Sequence, residues 1–138
     1  MNSKGWIRIV GSIVLTAGWL MSGQLWSQTK LSDGYSLEDF SHRTAAALVD
    51  ICTLDQSHPD NVVARAFCYG FFEGGIQYAD AISTSPAFVK LVCSPPETTR
   101  TEAVDVFVTY VRANSQYASK RPIDTIYRAL VDKWPCEE

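Results

Sequence analysis

Four cysteines are the residues of this 138-residue chain whose types most clearly allow chemistry. They are Cys52, Cys68, Cys93 and Cys136. No C-x-x-C pair occurs among them, and neither histidine of the chain is spaced as a metal ligand to any of the four. An even number of cysteines in an oxidising compartment favours two disulfides over a metal site. We therefore expect two disulfides, no metal and no cofactor.

The histidines and carboxylates give no arrangement that favours catalysis. A nucleophile needs a base within reach and a third group that orients the base. His42 and His58 are isolated, and no G-x-S-x-G motif occurs. Glu97, Glu102 and Asp105 lie where a helix is predicted to begin, and acidic residues are favourable there because of the helix dipole. We expect that the protein is not an enzyme.

Residues 1–27 are predicted to be a signal peptide. Lys4 and Arg8 precede an uncharged apolar run, which becomes polar and rich in small residues toward Ser27. An uncharged run of about 20 residues can also span a bilayer, so an uncleaved anchor is the alternative. We expect cleavage after Ser27, a periplasmic location, a short flexible segment over residues 28–35, and no membrane contact of the mature chain.

The charge of the mature chain excludes one class of partner. Removal of Lys4 and Arg8 from the 12 basic residues leaves 10 beside 15 acidic ones, a formal net charge of −5. Proteins that bind nucleic acid need clustered lysine and arginine to neutralise phosphates. We therefore expect no nucleic-acid partner.

Helical spacing of apolar residues predicts four helices, and no alternating pattern predicts a sheet. The predicted helices cover about residues 36–53, 61–83, 98–117 and 122–134. Ser36 and Asp39 resemble a capping box for the first helix, and Pro122 is favourable in the first turn of the fourth. Short connections then predict an all-α domain over residues 36–138, a small four-helix antiparallel bundle.

This topology selects the disulfide pairing. In an up-down bundle the end of the first helix lies beside the start of the second, and the start of the third lies beside the end of the fourth. Four cysteines allow three pairings. Only Cys52–Cys68 together with Cys93–Cys136 fits the bundle.

A glycine pair interrupts the aromatic stretch CYGFFEGGIQYADA, residues 68–81, in the second predicted helix. Glycine in a helix costs about 1 kcal/mol relative to alanine. On a helical wheel Gly74 and Gly75 lie on the apolar side between Phe71 and Tyr78. We expect these four residues to form a helix-packing surface that lets a neighbouring helix approach the backbone. Ligand contact is the alternative.

Short sequence features recur in order along the predicted domain. They are Cys52 at the end of the first helix, CYGFFEG at 68–74, CSP at 93–95, AL at 129–130 and WPC at 134–136. Together they resemble the Rap/Tai family of small periplasmic immunity proteins over residues 45–136. The resemblance implies an α-helical, disulfide-bonded protein that binds and blocks a peptidoglycan amidase delivered by type VI secretion. Because these residues are mainly scaffold positions, they indicate the fold more directly than the activity.

The loop at residues 84–97 is the main candidate for contact with a protein partner. It is long, contains Cys93, and carries apolar residues of the kind that anchor interfaces. Within it we expect Phe88 and Lys90 to contact the partner, whereas Leu91 and Val92 are expected to cover the open end of the bundle.

A second candidate is the loop at residues 53–60. Its Asp55, His58 and Asp60 could form a charged rim around an interface. The position of these residues in a loop is the only basis for this prediction.

An exported inhibitor of a cell-wall amidase effector is the leading functional prediction, and two alternatives stay open. One is an acid-stress periplasmic chaperone, because protonation of the carboxylates would charge and loosen a small acidic bundle. The other is a helical adaptor of an envelope complex, with Tyr69 and Tyr110 as contact residues. The sequence also leaves open a homodimer.

Overall fold

The computed structural model describes residues 34–41 and 43–136, which form four α-helices and two short 3₁₀ turns. The α-helices are α1 (Ala45–Cys52), α2 (Asn61–Ser83), α3 (Arg100–Ala113) and α4 (Pro122–Lys133). This confirms the predicted all-α fold. Among the described helices, none combines the length and apolar character needed to cross a bilayer. The predicted signal peptide and His42 lie outside the described residues.

The first α-helix is shorter than predicted. Ser36 and Asp39 do interact, since the Ser36 N–H donates to Asp39 Oδ2 at 2.6 Å. They begin only the 3₁₀ turn Leu37–Phe40, however, and α1 starts afresh after Thr44. The Thr44 hydroxyl caps α1 by accepting from the Ala47 N–H at 3.2 Å. The prediction of one helix over residues 36–53 was therefore wrong in its first half.

Remote carbonyl groups explain where α1 begins. The first N–H groups of a helix have no partner within the helix. In α1 the Ala45 N–H donates to the Lys120 carbonyl at 2.8 Å, and the Ala46 N–H donates to the Ala118 carbonyl at 2.9 Å. The chain between α3 and α4 thus supplies acceptors to α1, and a continuous helix from Ser36 would have used these N–H groups internally.

The four helices enclose one hydrophobic core. The rings of Phe72 and Phe107 meet edge to face at its centre, with centroids 5.6 Å apart and at most 1% of either residue exposed. The largest other buried apolar side chains are Leu48, Val49, Ile51, Val104, Val108, Val111, Ile126 and Leu130. Because α1 packs against each of the other three helices, it joins them into one bundle.

Both predicted disulfides are present. Cys52–Cys68 spans 16 residues and Cys93–Cys136 spans 43, with Cα–Cα distances of 5.3 and 4.9 Å. On the loop-entropy model, closing chains of these lengths stabilises the fold by about 3 and about 4 kcal/mol. The two bridges are therefore a major part of the stability of so small a domain.

The buried stripe of α2 lies beside the one that the helical wheel suggested. Ala64, Cys68 and Phe72 are its buried apolar residues, and Gly75 continues the stripe toward α4. Gly74 is exposed, with nothing within 4 Å of a Cβ atom placed on it, and Tyr78 is 69% exposed. Gly74 and Tyr78 therefore do not have the expected packing role. They lie on a neighbouring stripe of α2, one residue position away from the stripe that meets the core. Phe71 is half-buried against the core cluster.

Candidate functional site

The 84–97 loop follows α2 and is tied to the end of α4. Cys93 forms its disulfide with Cys136 there, and the Cys93 N–H donates to the Trp134 carbonyl at 2.9 Å. Val92 and Pro135 add an isolated antiparallel bridge. These links fix one end of the loop on the bundle, whereas the other end continues directly from α2.

Apolar side chains of this loop point to solvent. Phe88 is 53% exposed, Val89 is 82% exposed and Leu91 is 58% exposed, although Val92 packs against the core cluster. The expectation that Leu91 and Val92 both cover the bundle is therefore met by Val92 only. Lys90 lies within this stretch and is exposed as well. A loop held in place by a disulfide thus presents three large apolar residues and a cation.

A groove of about 640 Å³ opens beneath the loop, between the last turns of α2, the start of α3 and α4. Its apolar lining includes Ile76, Ile82, Phe88, Ile123, Leu130 and Trp134. This volume lies within the range of about 300–1,000 Å³ that is typical of binding pockets. The groove is therefore large enough to accept several side chains of a partner.

An ion pair forms one rim of the groove. Arg100 of α3 reaches Glu73 of α2, with Nη2 and Nε at 2.6 and 3.1 Å from Glu73 Oε2. The Gln77 amide donates to the other carboxylate oxygen at 2.8 Å. The hydrogen bond from Gln77, followed by the one from Arg100, lowers the pKa of Glu73. Glu73 is therefore ionised at neutral pH, and the hydrogen bonds from Gln77 and Arg100 orient its carboxylate.

Tyr127 and Asp80 form the opposite part of the lining. The Tyr127 hydroxyl donates to the Gly75 carbonyl at 2.7 Å and so links α4 to α2. Burial raises the pKa of Tyr127, and the negative charge of Asp80 raises it further. Asp80 itself is exposed at the groove edge. The groove thus offers an acid on its α2 side and Lys90 on its loop side.

The 53–60 loop uses its polar groups internally. Asp55 accepts from the Ser57 hydroxyl and from the Ser57 N–H at 2.8 Å, and these hydrogen bonds lower the pKa of Asp55. His58 Nδ1 accepts from the Asp60 N–H at 3.1 Å, and the Tyr35 hydroxyl donates to Asp60 Oδ2 at 3.3 Å. These bonds account for the order of this loop without a partner.

The two candidate loops lie far apart. They flank opposite ends of α2, a helix of 23 residues, which at 1.5 Å per residue separates them by about 33 Å. Asp55, His58 and Asp60 therefore do not share a site with Phe88 and Lys90. A partner seated on the groove would not reach the 53–60 loop without covering the length of α2.

The aromatic residues considered for an adaptor surface are partly covered. Tyr69 is half-buried, and the guanidinium groups of Arg65 and Arg100 lie 5.5 and 5.9 Å from its ring centroid. Tyr110 is half-buried as well and stacks on Tyr117, with centroids 5.6 Å apart. Both rings thus have intramolecular partners.

Sequence reasoning missed the α4 and α2 sides of the groove. Helical spacing in the sequence puts Ile123, Tyr127 and Trp134 on the apolar face of the fourth helix, and Asp80 on the polar face of the second. These positions on the helical faces are the only feature of the sequence that points to this part of the groove. Whether part of this apolar face lines an open groove depends on the distance between α2 and α4. The spacing of residues in the sequence does not determine that distance.

The groove holds no arrangement typical of an active site. Among the residues that the structure describes, no histidine lines it, and the Glu73 carboxylate accepts hydrogen bonds from Gln77 and Arg100. No group of three or more histidine, cysteine or acidic residues within 34–41 and 43–136 could hold a metal ion.

Comparison with known proteins identifies a family. A family model described as Rap1a immunity proteins matches residues 44–136, which include all four helices and both disulfides. No curated protein and no solved structure matches the chain significantly.

Proposed function

This chain belongs to the Rap1a family of immunity proteins, and we propose that it is a periplasmic inhibitor of a peptidoglycan amidase delivered by type VI secretion. An immunity protein acts by binding its effector. The observation that carries the finer proposal is the 84–97 loop, an exposed apolar element fixed to the bundle beside a groove. The amidase as target follows from the resemblance of the sequence to Rap/Tai proteins.

The 84–97 loop has the properties of an element that blocks a cleft. Phe88 and Leu91 are more than half exposed, so they can enter a partner without unfolding the bundle. A few anchor residues, often aromatic, account for most of the binding energy of interfaces. Fixing such anchors before binding reduces the entropy lost on association, and the Cys93–Cys136 disulfide provides that constraint.

The groove is further evidence that this part of the molecule, around the 84–97 loop, forms the interface. Its lining is mainly apolar, while the Glu73–Arg100 pair, Asp80 and Lys90 provide charges around it. An apolar centre with a polar surround is the usual composition of a specific protein interface. We infer that the loop enters the effector while a part of the effector occupies the groove.

Binding without catalysis fits the groups that are present. The titratable residues of the groove are either paired, as Glu73 is, or exposed, as Asp80 and Lys90 are. None has an adjacent base and orienting group of the kind that catalysis requires. We infer that the protein inhibits by occlusion.

A periplasmic location is consistent with the disulfides. Structural disulfides form and persist in oxidising compartments, and all four cysteines of the chain are paired. The signal peptide over residues 1–27 is the proposed route of export, with cleavage after Ser27.

Affinity capture tests the proposed function. The oxidised protein serves as bait for periplasmic and secreted fractions of its own bacterium and of competitors, and captured proteins are identified by mass spectrometry. We expect one cell-wall hydrolase at a fixed ratio. Phe88→Glu should abolish its capture, whereas Val62→Glu, at an exposed site near the other end of α2, should not. Equal capture by both variants would show that the loop is not the interface.

A further inference from the structure

The two disulfides differ in their exposure. Cys68 is 1% exposed and belongs to the hydrophobic core cluster, and Cys52 is half-buried and packs against that cluster. Cys93 is exposed and Cys136 is half-buried, and neither belongs to the core cluster. Thiol–disulfide exchange requires access of a thiolate to a sulfur atom. A reductant should therefore meet the Cys93–Cys136 bridge first.

The Cys93–Cys136 bridge is a covalent constraint on the 84–97 loop, in which Val92 also packs against the core cluster. Apart from the disulfide, the Cys93 N–H bond to Trp134 and the isolated bridge of Val92 to Pro135 hold the loop to the end of α4. The apolar residues from Phe88 to Leu91 are largely solvent-exposed and give little packing of their own. Segments with few buried contacts open locally at low cost.

We propose that the Cys93–Cys136 disulfide is a thiol–disulfide exchange site, at which a dithiol compound or dithiol oxidoreductase releases the 84–97 loop while the helical bundle stays folded. The exchange itself depends only on exposure and connectivity. Its consequence, loss of effector binding, rests on the proposed function.

The dithiol supplies the two electrons that reduction of the bridge requires. One thiolate attacks Sγ of the more exposed Cys93, the bond between the two cysteine sulfurs breaks, and Cys136 leaves as a thiolate that takes up a proton. The second thiol of the reagent then attacks the mixed disulfide and releases the Cys93 thiol. Two electrons pass to the protein, and the dithiol becomes a disulfide.

The rest of the bundle keeps its constraints after this step. The Cys52–Cys68 bridge still joins α1 to α2, and the contact of Phe72 with Phe107 is remote from the exchanged bridge in the chain. Reduction removes the covalent link between the loop and α4 and leaves the Cys93 N–H bond to Trp134 and the Val92–Pro135 bridge. Because a segment with few buried contacts breaks such bonds at low cost, Phe88 no longer flanks the groove from a fixed position. The binding surface is lost before the fold is.

Graded reduction of the full oxidised chain tests the exchange. Samples in low concentrations of dithiothreitol are alkylated, and the labelled cysteines are assigned by mass spectrometry while helical circular dichroism is recorded. We expect Cys93 and Cys136 to be labelled at least about tenfold faster than Cys52 and Cys68, with an unchanged helical signal.

Trypsin reports on release of the loop, because Lys90 is the one lysine or arginine between residues 84 and 99. Cleavage after Lys90 should become at least about tenfold faster once the exposed bridge is reduced. The Cys93→Ser/Cys136→Ser double variant should show this fast cleavage without reductant and gain nothing from it. The double variant also separates loss of the bridge from side effects of the reagent.

Two results would overturn the proposal. One is labelling of all four cysteines in a single phase together with loss of the helical signal. The other is equal cleavage after Lys90 in the oxidised, reduced and double-variant proteins. Neither readout needs an effector. If the loop is released but no effector binding is ever found, the proposed function fails and the exchange site stands.

Discussion

Ile123 of α4 touches the backbone of α2 at Gly75, since a Cβ atom on that glycine would lie 2.7 Å from Ile123 Cδ1. The Tyr127 hydroxyl bonds to the carbonyl of the same glycine. Gly75 is therefore the point where α2 and α4 meet, and the groove extends from it along the following turns of α2.

Alanine substitution should change the stability of the protein differently at the two adjacent glycines. Gly74→Ala should raise the free energy of unfolding by about 1 kcal/mol, because alanine favours the helix and nothing lies near the new methyl group. Gly75→Ala should gain less, since Ile123 must turn away from its methyl group. Urea denaturation of both variants measures the difference. A larger gain for Gly75→Ala than for Gly74→Ala would contradict the contact with Ile123.

Removing the Tyr127 hydroxyl should weaken the join between α2 and α4. Tyr127→Phe deletes the donor to the Gly75 carbonyl and should lower the free energy of unfolding by about 1 kcal/mol, the usual net value of a hydrogen bond. Chemical denaturation at neutral pH measures this loss. Tyr78→Phe is the control, because that side chain is exposed and should tolerate the change. Equal stability of both variants would show that the bond contributes nothing.

The same tyrosine should make stability depend on alkaline pH. Burial and Asp80 raise the pKa of Tyr127 in the folded state, so its stabilising effect is complete below the unfolded value of about 10 and is lost as pH rises through the folded value. Burial also raises the pKa values of Tyr35 and Tyr110, so the difference between the absorbance titrations of the native protein and Tyr127→Phe isolates Tyr127. That difference should show late ionisation, and Asp80→Asn should shift it to lower pH. A titration unaffected by both substitutions would contradict the assignment.

Acid should have a small effect on the fold. Hydrogen bonds from Gln77 and Arg100 lower the pKa of Glu73, and one from Arg128 lowers the pKa of Asp124. Lowered values stabilise the folded state above the unfolded pKa of about 4, and this contribution is lost as pH falls through the folded values. All these groups lie near the surface, where ion pairs contribute little.

Circular dichroism and dye binding at about pH 3.5 measure this response. We expect a retained helical signal and no binding of a hydrophobic dye, because neither the disulfides nor the apolar side chains of the core cluster titrate. Strong dye binding with loss of fixed tertiary structure would instead favour the acid-stress chaperone.

Local signals explain which parts of the fold could be predicted from the sequence. The bounds of α2 and α4 follow from turn residues and from Pro122, and the disulfide pairing follows from the order of the helices. The start of α1 could not be predicted, because it depends on carbonyl groups of Ala118 and Lys120, which are remote in the chain.

The candidate site, like the fold, could be predicted from the sequence only in part. A long loop containing Cys93 and the exposed Phe88 is visible in the sequence, and the structure places both beside the groove. The roles of Tyr127 and Asp80 are not visible, since they arise from the separation of two helices. The helical wheel also placed the packing surface of α2 one position too early, because residue types alone do not show which neighbouring stripe meets the core.

Phe88→Glu should abolish inhibition without loss of structure. The Phe88 side chain is more than half exposed, so the free protein tolerates a charge there. In the complex the glutamate would be buried with no group to neutralise its charge, which is costly. We expect binding to weaken at least about tenfold. Calorimetric titration measures this, with Val62→Glu as the matched control, and unchanged helical circular dichroism verifies folding.

The most direct test is the release of peptide fragments from purified peptidoglycan by the captured hydrolase, measured while the protein is titrated in. The proposed function predicts that release falls to background at a fixed stoichiometry, that Val62→Glu inhibits equally, and that Phe88→Glu leaves the hydrolase active. Undiminished release in the presence of excess native protein would contradict it.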